Sequence, residues 1–187
     1  EEVDFGALES NMGVYARSDI LGYLALGSNG ENKSLTEDEK LVVLRTIVAG
    51  RAPDQVVIAG ATYEAQRDTE RFFAAAAEIG ADFGLLLSPS YFRKQMTDDV
   101  LFRYYTTTAD RSPLPLLVYN APGFSGVTMS VGLVARLAQH PNIVGMKDSR
   151  GDVAKLGELV QACPKDFQIV AGAGSALLGG LELGAVG

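Results

Sequence analysis

The sequence has very few of the residues that hold metal ions or form disulfides. Its 187 residues include one cysteine, Cys163, and one histidine, His140. A single cysteine excludes a disulfide framework within the chain and any site built from several cysteines. One histidine argues against zinc chemistry and against a Ser-His-Asp triad, although a carboxylate-rich metal site stays open. We expect structural roles for both residues.

The sequence also lacks a basic run and a long apolar run. The formal net charge is −7, and the lysines and arginines are scattered, which argues against a nucleic-acid partner because such a partner requires a basic face. No apolar stretch approaches the roughly 20 residues of a membrane-spanning helix, so we expect no membrane partner. A hydrophobic fraction of 47% is typical of a globular domain. We therefore predict a single domain over residues 1–187.

The chain instead repeats a pattern of apolar run, polar or glycine-rich tip and amphipathic helix. A first helix is indicated by apolar residues at helical spacing in residues 1–21. Strands are predicted at 22–27, 55–59, 83–87, 114–118, 143–147 and 167–170. Helices are predicted at 36–50, 64–79, 98–109, 130–139, 152–162 and 176–183. Thr36 and Glu39 form a capping box, and Gly50 and Gly80 are predicted to end their helices.

Continuous apolar runs are typical of parallel strands that are covered on both faces. The strand–helix unit recurs roughly every 25–30 residues, which favours a (β/α)₈ TIM barrel. We count six units and the start of a seventh strand at 184–187. Both ends look cut, so we expect this sequence to be part of a longer protein and the barrel to be incomplete. A targeting peptide ahead of residue 1 stays open. A doubly wound sheet is the alternative, but Gly172-x-Gly174-x-x-Leu177 lacks the third small residue of its fingerprint.

The carboxyl ends of the strands of a parallel barrel share one mouth, where active sites are built. Lys147 follows the apolar run 143–146, and burial there would favour the neutral, nucleophilic amine. The predicted tips carry hydroxyls, amides and glycine but few carboxylates: Ser28, Asn29, Thr62, Ser88, Tyr91, Tyr119, Asn120, Lys147, Asp148, Ser149 and Gly172. This set suits a small anionic substrate and imine chemistry. Taken singly, however, Tyr119 also suits packing, Lys147 an ion pair with Asp148, and Ser28 and Asn29 a turn.

Three motifs together carry a resemblance to a known family. They are Gly27-Ser28-Asn29-Gly30-Glu31, Tyr119-Asn120-Ala121-Pro122 and Gly145-Met146-Lys147-Asp148-Ser149. Their order, spacing and strand context resemble the dihydrodipicolinate synthase / N-acetylneuraminate lyase family over nearly the whole chain. The resemblance implies a TIM barrel without its first and eighth strands, and a class I aldolase that binds pyruvate or a related 2-oxo acid as a Schiff base. It implies no metal and no organic cofactor.

The resemblance also implies roles for individual residues. Lys147 would form the imine, and Tyr119 would relay protons to and from the imine and the aldol hydroxyl. Ser28 and Asn29 stand where the synthases have two threonines, so both would hold the substrate carboxylate, with Ser28 also a candidate for the proton relay. Tyr91 would reach across a subunit interface of a homotetramer.

Three further positions follow from the same resemblance. Gly172 would present its backbone carbonyl beside the bound keto acid, and Glu31 would be a structural carboxylate. The synthases carry an arginine for the carboxylate of their aldehyde where this chain has Phe124. This departure argues against dihydrodipicolinate synthase itself.

The motifs most resemble 4-hydroxy-2-oxoglutarate aldolase, which cleaves its substrate to pyruvate and glyoxylate. The alternatives are a synthase-like enzyme, a 2-keto-3-deoxy sugar-acid aldolase, and a non-catalytic barrel paralogue that only binds a partner. We expect a cytoplasmic protein, with a mitochondrial one as the alternative.

Overall fold

Six strands and eight α-helices follow one another along residues 2–187, which are the residues that the computed structural model describes, and they alternate except that two helices lie between β4 and β5. The strands are β1 (Gly22–Ala25), β2 (Val56–Ala61), β3 (Phe83–Leu87), β4 (Leu116–Asn120), β5 (Ile143–Asp148) and β6 (Gln168–Ala171). The helices are α1 (Phe5–Tyr15), α2 (Glu37–Gly50), α3 (Gln66–Ile79), α4 (Asp98–Arg111), α5 (Pro122–Ser125), α6 (Val131–Leu137), α7 (Val153–Ala162) and α8 (Leu177–Glu182).

All neighbouring strands are parallel, and their order in the sheet is their order in the sequence. A doubly wound sheet reverses its strand order at a switch point, so that alternative is wrong. The sheet is instead a curled half-barrel with helices, as expected for part of a (β/α)₈ barrel. The predicted fold class is therefore confirmed.

The last residues of the chain continue the hydrogen bonding of β6. The amide of Val186 donates to the carbonyl of Ile169 at 2.9 Å, and the amide of Ala171 donates to the carbonyl of Gly187 at 2.6 Å. Residues 185–187 are not a regular strand. Their bonds nevertheless lie where the predicted seventh strand would begin.

The sheet separates two apolar layers. The larger layer lies between the sheet and the helices and includes the fully buried Leu44, Phe73, Leu101, Tyr105 and Met146. A smaller cluster on the other face contains Leu85, Leu87, Leu117, Tyr119 and Ala121. Since side chains alternate between the faces of a strand, each strand sends every second residue into the barrel interior.

Local signals at two helix ends act as predicted. The Thr36 hydroxyl accepts from the Glu39 amide at 3.3 Å, and the Glu39 carboxylate accepts from the Thr36 amide at 2.7 Å, which confirms the capping box. Gly80 ends α3 in the left-handed region, at φ 102°.

α2 ends at Gly50, as predicted, but not through a left-handed glycine. Gly50 is the last residue of α2, and the following Arg51 is extended. A Cβ atom at position 50 would lie 2.7 Å from Cβ of Met12. Close packing of α1 on α2 therefore explains this glycine.

Other boundaries moved by a few residues. β1 ends at Ala25 rather than Gly27, because Leu26 turns into the left-handed region at φ 58°. β4 and β5 extend further than predicted, so Tyr119 and Lys147 lie inside strands, each one residue from the end. The four-residue α5 was not predicted.

Among the described residues, no helix is long and apolar enough to cross a membrane.

Candidate active site

Tyr119 and Lys147 lie side by side at the carboxyl ends of β4 and β5. They are paired in the parallel register, so both side chains point to the same face of the sheet. Nζ of Lys147 lies over the Tyr119 ring, 4.8 Å from its centroid. Tyr119 is only 4% exposed, and a cation over an aromatic face is an attractive arrangement. The two residues predicted to carry the chemistry are thus neighbours.

Two expectations about Lys147 need correction. Its side chain is half-buried rather than buried, because the cavity that it faces is open. Nor does it pair with Asp148, which lies on the opposite face and binds Asn120 and Arg150 instead. Within residues 2–187, Lys147 takes part in no ion pair. Its amine is therefore free of carboxylate partners on the described surface.

Ser149 joins the site, although no role for it was predicted. Its hydroxyl lies 3.5 Å from the hydroxyl of Tyr119, which is long for a direct hydrogen bond. The signal was present in the spacing, since Ser149 stands two residues after Lys147 and continues the same face of the strand. Ser149 is thus placed to exchange a proton with Tyr119 after a small movement.

Gly172 lies against this group with no space for a side chain. A Cβ atom there would lie 2.0 Å from Oγ of Ser149 and 2.9 Å from Cε of Lys147. Its amide donates to the carbonyl of Asp148 at 2.7 Å. The backbone after β6 is therefore held directly beside the lysine, and the predicted role of the Gly172 carbonyl stays a prediction.

The turn after β1 brings Ser28 and Asn29 to the same mouth. Residues Ser28–Gly30 form a single 3₁₀ turn. Asn32 is almost fully buried beneath it, and its amide donates to the carbonyls of Leu26 and Gly27 at 2.8 and 2.9 Å. These bonds hold the left-handed Leu26, a conformation that costs energy for a leucine and is often found at functional sites.

These residues surround a cavity of about 400 Å³, here named the lysine cavity. Its lining residues are Leu24, Gly27, Ser28, Asn29, Gly30, Tyr119, Phe124, Lys147, Ser149 and Gly172. The structure thus brings together five of the six predicted site residues. The volume is typical of a small-molecule site.

A second cavity of about 530 Å³ adjoins the lysine cavity and is named the serine-lined cavity. The two cavities share Ser28 and Phe124. The other lining residues are Glu31, Asn32, Lys33, Ser34, Thr62, Glu64, Leu87, Ser88 and Ser90. Phe124 is 65% exposed, so its ring stands at the boundary between the cavities.

Electrostatics in the serine-lined cavity centre on one lysine and one glutamate. The Lys33 amine donates to the carbonyl of Thr62. Burial lowers the pKa of Lys33, and the nearby Glu64 carboxylate opposes that shift. The hydroxyl of Thr62 donates to Oδ1 of Asn32 at 2.6 Å. The wall of this cavity is therefore a connected polar network.

Tyr91 lies outside the lysine cavity and is 79% exposed. Its loop is held by Glu64, whose carboxylate accepts from the amides of Ser90 and Tyr91 and from the Ser90 hydroxyl, at 2.8–3.1 Å. Burial raises the pKa of Glu64, but these hydrogen bonds outweigh it and leave the pKa below its ordinary value. The predicted contact of Tyr91 with a second subunit stays a prediction.

Glu31 is not placed as a structural carboxylate. Its side chain is exposed, its backbone lies in the left-handed region at φ 50°, and it closes the 3₁₀ turn. In residues 2–187, no group of three or more histidine, cysteine or acidic side chains is arranged to hold a metal ion. What the site offers is an amine, a phenol, hydroxyls and backbone groups.

Comparisons with known proteins find relatives over most or all of the chain. The sequence profile of the dihydrodipicolinate synthetase family matches residues 1–187. An L-threo-3-deoxy-hexylosonate aldolase of Hypocrea jecorina is 36% identical over 97% of this chain and 59% of its own length. A 4-hydroxy-tetrahydrodipicolinate synthase of Methylococcus capsulatus is 38% identical over 80% of this chain and 50% of its own length. The chain thus spans less than two thirds of these relatives.

Solved structures give the same result. The 4-hydroxy-tetrahydrodipicolinate synthase of Methylacidiphilum fumariolicum superimposes with a TM-score of 0.94 at 32% identity, over 100% of this chain and 62% of that one. The dihydrodipicolinate synthase of Acinetobacter baumannii, complexed with pyruvate, superimposes with a TM-score of 0.93 at 32% identity, over 98% of this chain and 62% of that one.

Proposed function

The chain belongs to the dihydrodipicolinate synthetase family, and from this membership we propose that it acts as a class I aldolase on a 2-oxo acid. The observation that carries the proposal is the pairing of Lys147 with Tyr119 inside a cavity of suitable size. A lysine without a carboxylate partner can act as a nucleophile once it is neutral, and a nearby phenol can transfer protons. We assign pyruvate as the three-carbon product or substrate.

The proposed reaction begins when the neutral amine of Lys147 attacks the keto carbon of a 4-hydroxy-2-oxo acid. Loss of water gives a protonated imine. Tyr119 supplies the proton for this loss of water and is left as a phenolate. The phenolate then takes the proton of the C4 hydroxyl, the C3–C4 bond breaks, and the electron pair of that bond moves into the imine to form an enamine. The aldehyde then leaves. Protonation at C3 and hydrolysis of the imine release pyruvate and restore the amine.

Other groups in the lysine cavity suit the remaining tasks. Ser28 and Asn29 line the same cavity as the lysine and can donate hydrogen bonds to the substrate carboxylate. Ser149, 3.5 Å from the Tyr119 hydroxyl, can pass a proton between that phenol and the substrate. The backbone at Gly172 packs closely against one side of the lysine side chain. The keto acid is therefore left with the other side of the lysine.

For the aldehyde half, we propose a hydroxylated, uncharged aldehyde, as in the cleavage of a 3-deoxy-2-oxo sugar acid. The exposed ring of Phe124 provides no positive charge for a carboxylate, and the Lys33 amine of the adjoining cavity already binds the Thr62 carbonyl near the Glu64 carboxylate. The adjoining serine-lined cavity offers hydroxyls of Ser34, Thr62, Ser88 and Ser90. The named activity of the Hypocrea jecorina relative supports this choice.

This proposal replaces 4-hydroxy-2-oxoglutarate as the preferred substrate, because the relatives support a sugar-acid aldolase or a synthase better. Glyoxylate, the aldehyde product of that substrate, carries a carboxylate that Phe124 would not bind. Synthase activity is the second candidate, since relatives with that name are about as similar in sequence. A homotetramer also stays a proposal, and the exposed Tyr91 is the residue that would test it.

The decisive experiment is borohydride reduction of the protein in the presence of pyruvate, followed by peptide mapping. We expect one reduced pyruvate on Lys147 and none in the Lys147→Met variant. Absence of an adduct in folded wild-type protein would refute the mechanism. A panel of glyceraldehyde, glyoxylate and aspartate semialdehyde, each with pyruvate, then separates the candidate functions. Preference for aspartate semialdehyde would refute the sugar-acid assignment.

A further inference from the structure

A buried polar network lies directly behind the proposed catalytic pair. Asn120 follows Tyr119, and Asp148 follows Lys147, so the two point away from the lysine cavity. They are themselves paired in the register of β4 and β5. Asn120 is 1% exposed and Asp148 is 2% exposed. The Asn120 amide donates to Oδ2 of Asp148 at 2.7 Å.

Arg150 closes this network from the end of β5. Its Nε donates to both carboxylate oxygens of Asp148, at 3.2 and 2.9 Å, and its backbone amide donates to Oδ1 at 2.9 Å. Nη2 lies 2.8 Å from Oδ2 as an ionic contact, without the angle of a hydrogen bond. The side-chain oxygen of Asn120 accepts a hydrogen bond from the backbone amide of Met129 at 3.1 Å.

The backbone of the same residues ties three strand ends together. The carbonyl of Asn120 accepts from the amide of Ser149 at 2.9 Å, and the carbonyl of Asp148 accepts from the amide of Gly172 at 2.7 Å. β4, β5 and the turn after β6 are thereby joined at one level. Tyr119 and Lys147, which face the lysine cavity, lie one residue before this point on β4 and β5.

We propose that Asn120, Asp148 and Arg150 form a positioning clamp that fixes the Lys147 amine relative to the Tyr119 hydroxyl. None of the three lines the lysine cavity, so the clamp acts through the backbone and touches no substrate. This inference rests on the proposed function, because it assumes that Lys147 forms the imine.

The charged pair itself favours a positioning role over a purely stabilising one. A buried ion pair contributes little net stability, because removing both charges from water offsets their attraction. Apolar side chains of similar volume would serve a purely structural core at least as well. Nε of Arg150, by contrast, bonds both carboxylate oxygens, and with the backbone amide it fixes one geometry of the Asp148 carboxylate. That geometry sets the end of β5, one residue from the amine.

The clamp is tested with Asp148→Asn, which keeps the shape of the side chain and removes its charge. Arg150→Lys is made in parallel as a second, milder variant, because it keeps both charges and loses the hydrogen bonds from Nε to both carboxylate oxygens. The matched control is Asp99→Asn, which breaks an exposed ion pair with Arg136 at 3.1 Å between two residues that do not line the lysine cavity. Borohydride trapping with pyruvate counts the competent lysines in each sample.

The readout is the rate of aldol cleavage per trapped lysine, which a loss of folded protein alone would not change. We expect the clamp variants to lose about 100-fold in kcat, because a displacement of about 1 Å in a catalytic geometry costs that much. KM for the 2-oxo acid should change much less, and Asp99→Asn should match the wild type.

Two results would overturn the clamp. If Arg150→Lys and Asp148→Asn turn over at the wild-type rate per trapped lysine, the network is only structural and the proposed function survives. If the wild type itself forms no adduct on Lys147, the proposed function and the clamp both fail. The first result leaves the borohydride adduct intact and the second removes it, so the two failures are distinguishable.

Discussion

Replacing Gly172 with alanine tests the tight packing around the lysine with a single methyl group. The added Cβ atom would lie 2.0 Å from Oγ of Ser149, 2.9 Å from Cε of Lys147 and 3.1 Å from the carbonyl of Asp148. The first two distances are far below van der Waals contact, so side chains must move. The backbone cannot retreat easily, because the Gly172 amide is bonded to that same Asp148 carbonyl at 2.7 Å.

The size of the effect follows from how far these groups must move. The Ser149 hydroxyl has to shift by more than 1 Å to reach ordinary contact, and the end of Lys147 by about half that distance. A misplacement of about 1 Å costs roughly 100-fold in rate, or about 2.7 kcal/mol of activation free energy. Overpacking of a tight site also lowers folding stability by about 1–3 kcal/mol. We therefore expect a folded variant with about 1% of wild-type turnover.

The assay is kcat/KM for aldol cleavage together with the rate of borohydride-trapped imine formation. Gly174→Ala is the matched control, because a Cβ atom there has nothing within 4 Å. Combining Gly172→Ala with Ser149→Gly removes the worse clash and should recover part of the imine-forming rate, although the contact with Lys147 remains. If Gly172→Ala and Gly174→Ala had the same activity, the close approach of this backbone to the lysine would have no catalytic role.

Three further predictions follow from other contacts. Tyr119→Phe keeps the ring beneath Lys147 but removes the proton-transferring hydroxyl, so the pyruvate adduct should still form while cleavage falls about 10²–10⁴-fold; unchanged cleavage would assign the proton transfer to another group. Phe124→Arg should raise kcat/KM for carboxylate-bearing aldehydes about tenfold relative to glyceraldehyde, because a charged hydrogen bond contributes about 1.5–3 kcal/mol; an unchanged ratio in the aldehyde panel would show that this position does not select the aldehyde. The pKa of Glu64 lies below its ordinary value. The hydrogen bonds of its carboxylate therefore hold the Tyr91 loop fully at any pH above the ordinary carboxyl pKa, and they are lost as the pH falls through the lowered pKa. Amide protection factors of Ser90 and Tyr91 should therefore drop in acid for the wild type and be low at all pH values in Glu64→Gln. The same pH dependence in both proteins would show that Glu64 does not hold the loop.

Much of the fold could be predicted because parallel barrels leave a simple pattern in the sequence. Each apolar run is a strand, and since all strands run in one direction, residues that end different runs must meet at one mouth. This rule alone placed Ser28, Tyr119 and Lys147 around the same cavity. The capping box could also be predicted, because its two partners, Thr36 and Glu39, lie within four residues of each other.

The features that could not be predicted depend on contacts between distant residues. Gly50 resembles a helix terminator, yet its small size serves the packing of Met12, 38 positions earlier, at a virtual Cβ distance of 2.7 Å. Leu26 gives no sign of a left-handed backbone, since that conformation depends on the buried amide of Asn32. Glu64 carries no local sign that it binds the loop around Ser90. Spacing along the chain does not encode such partners.

The two cavities divide the proposed reaction between two parts of the sheet. Tyr119 stands on β4 and Lys147 on β5, where the positioning clamp and close backbone contacts leave little freedom. The serine-lined cavity is built mainly from the turns after β1, β2 and β3, whose polar side chains are linked mostly through one another. Loops on a rigid scaffold tolerate substitution better than the scaffold itself. If the proposed function holds, aldehyde preference can change through the β1–β3 turns without disturbing imine formation. Such a separation is consistent with this chain having relatives named as aldolases and as synthases.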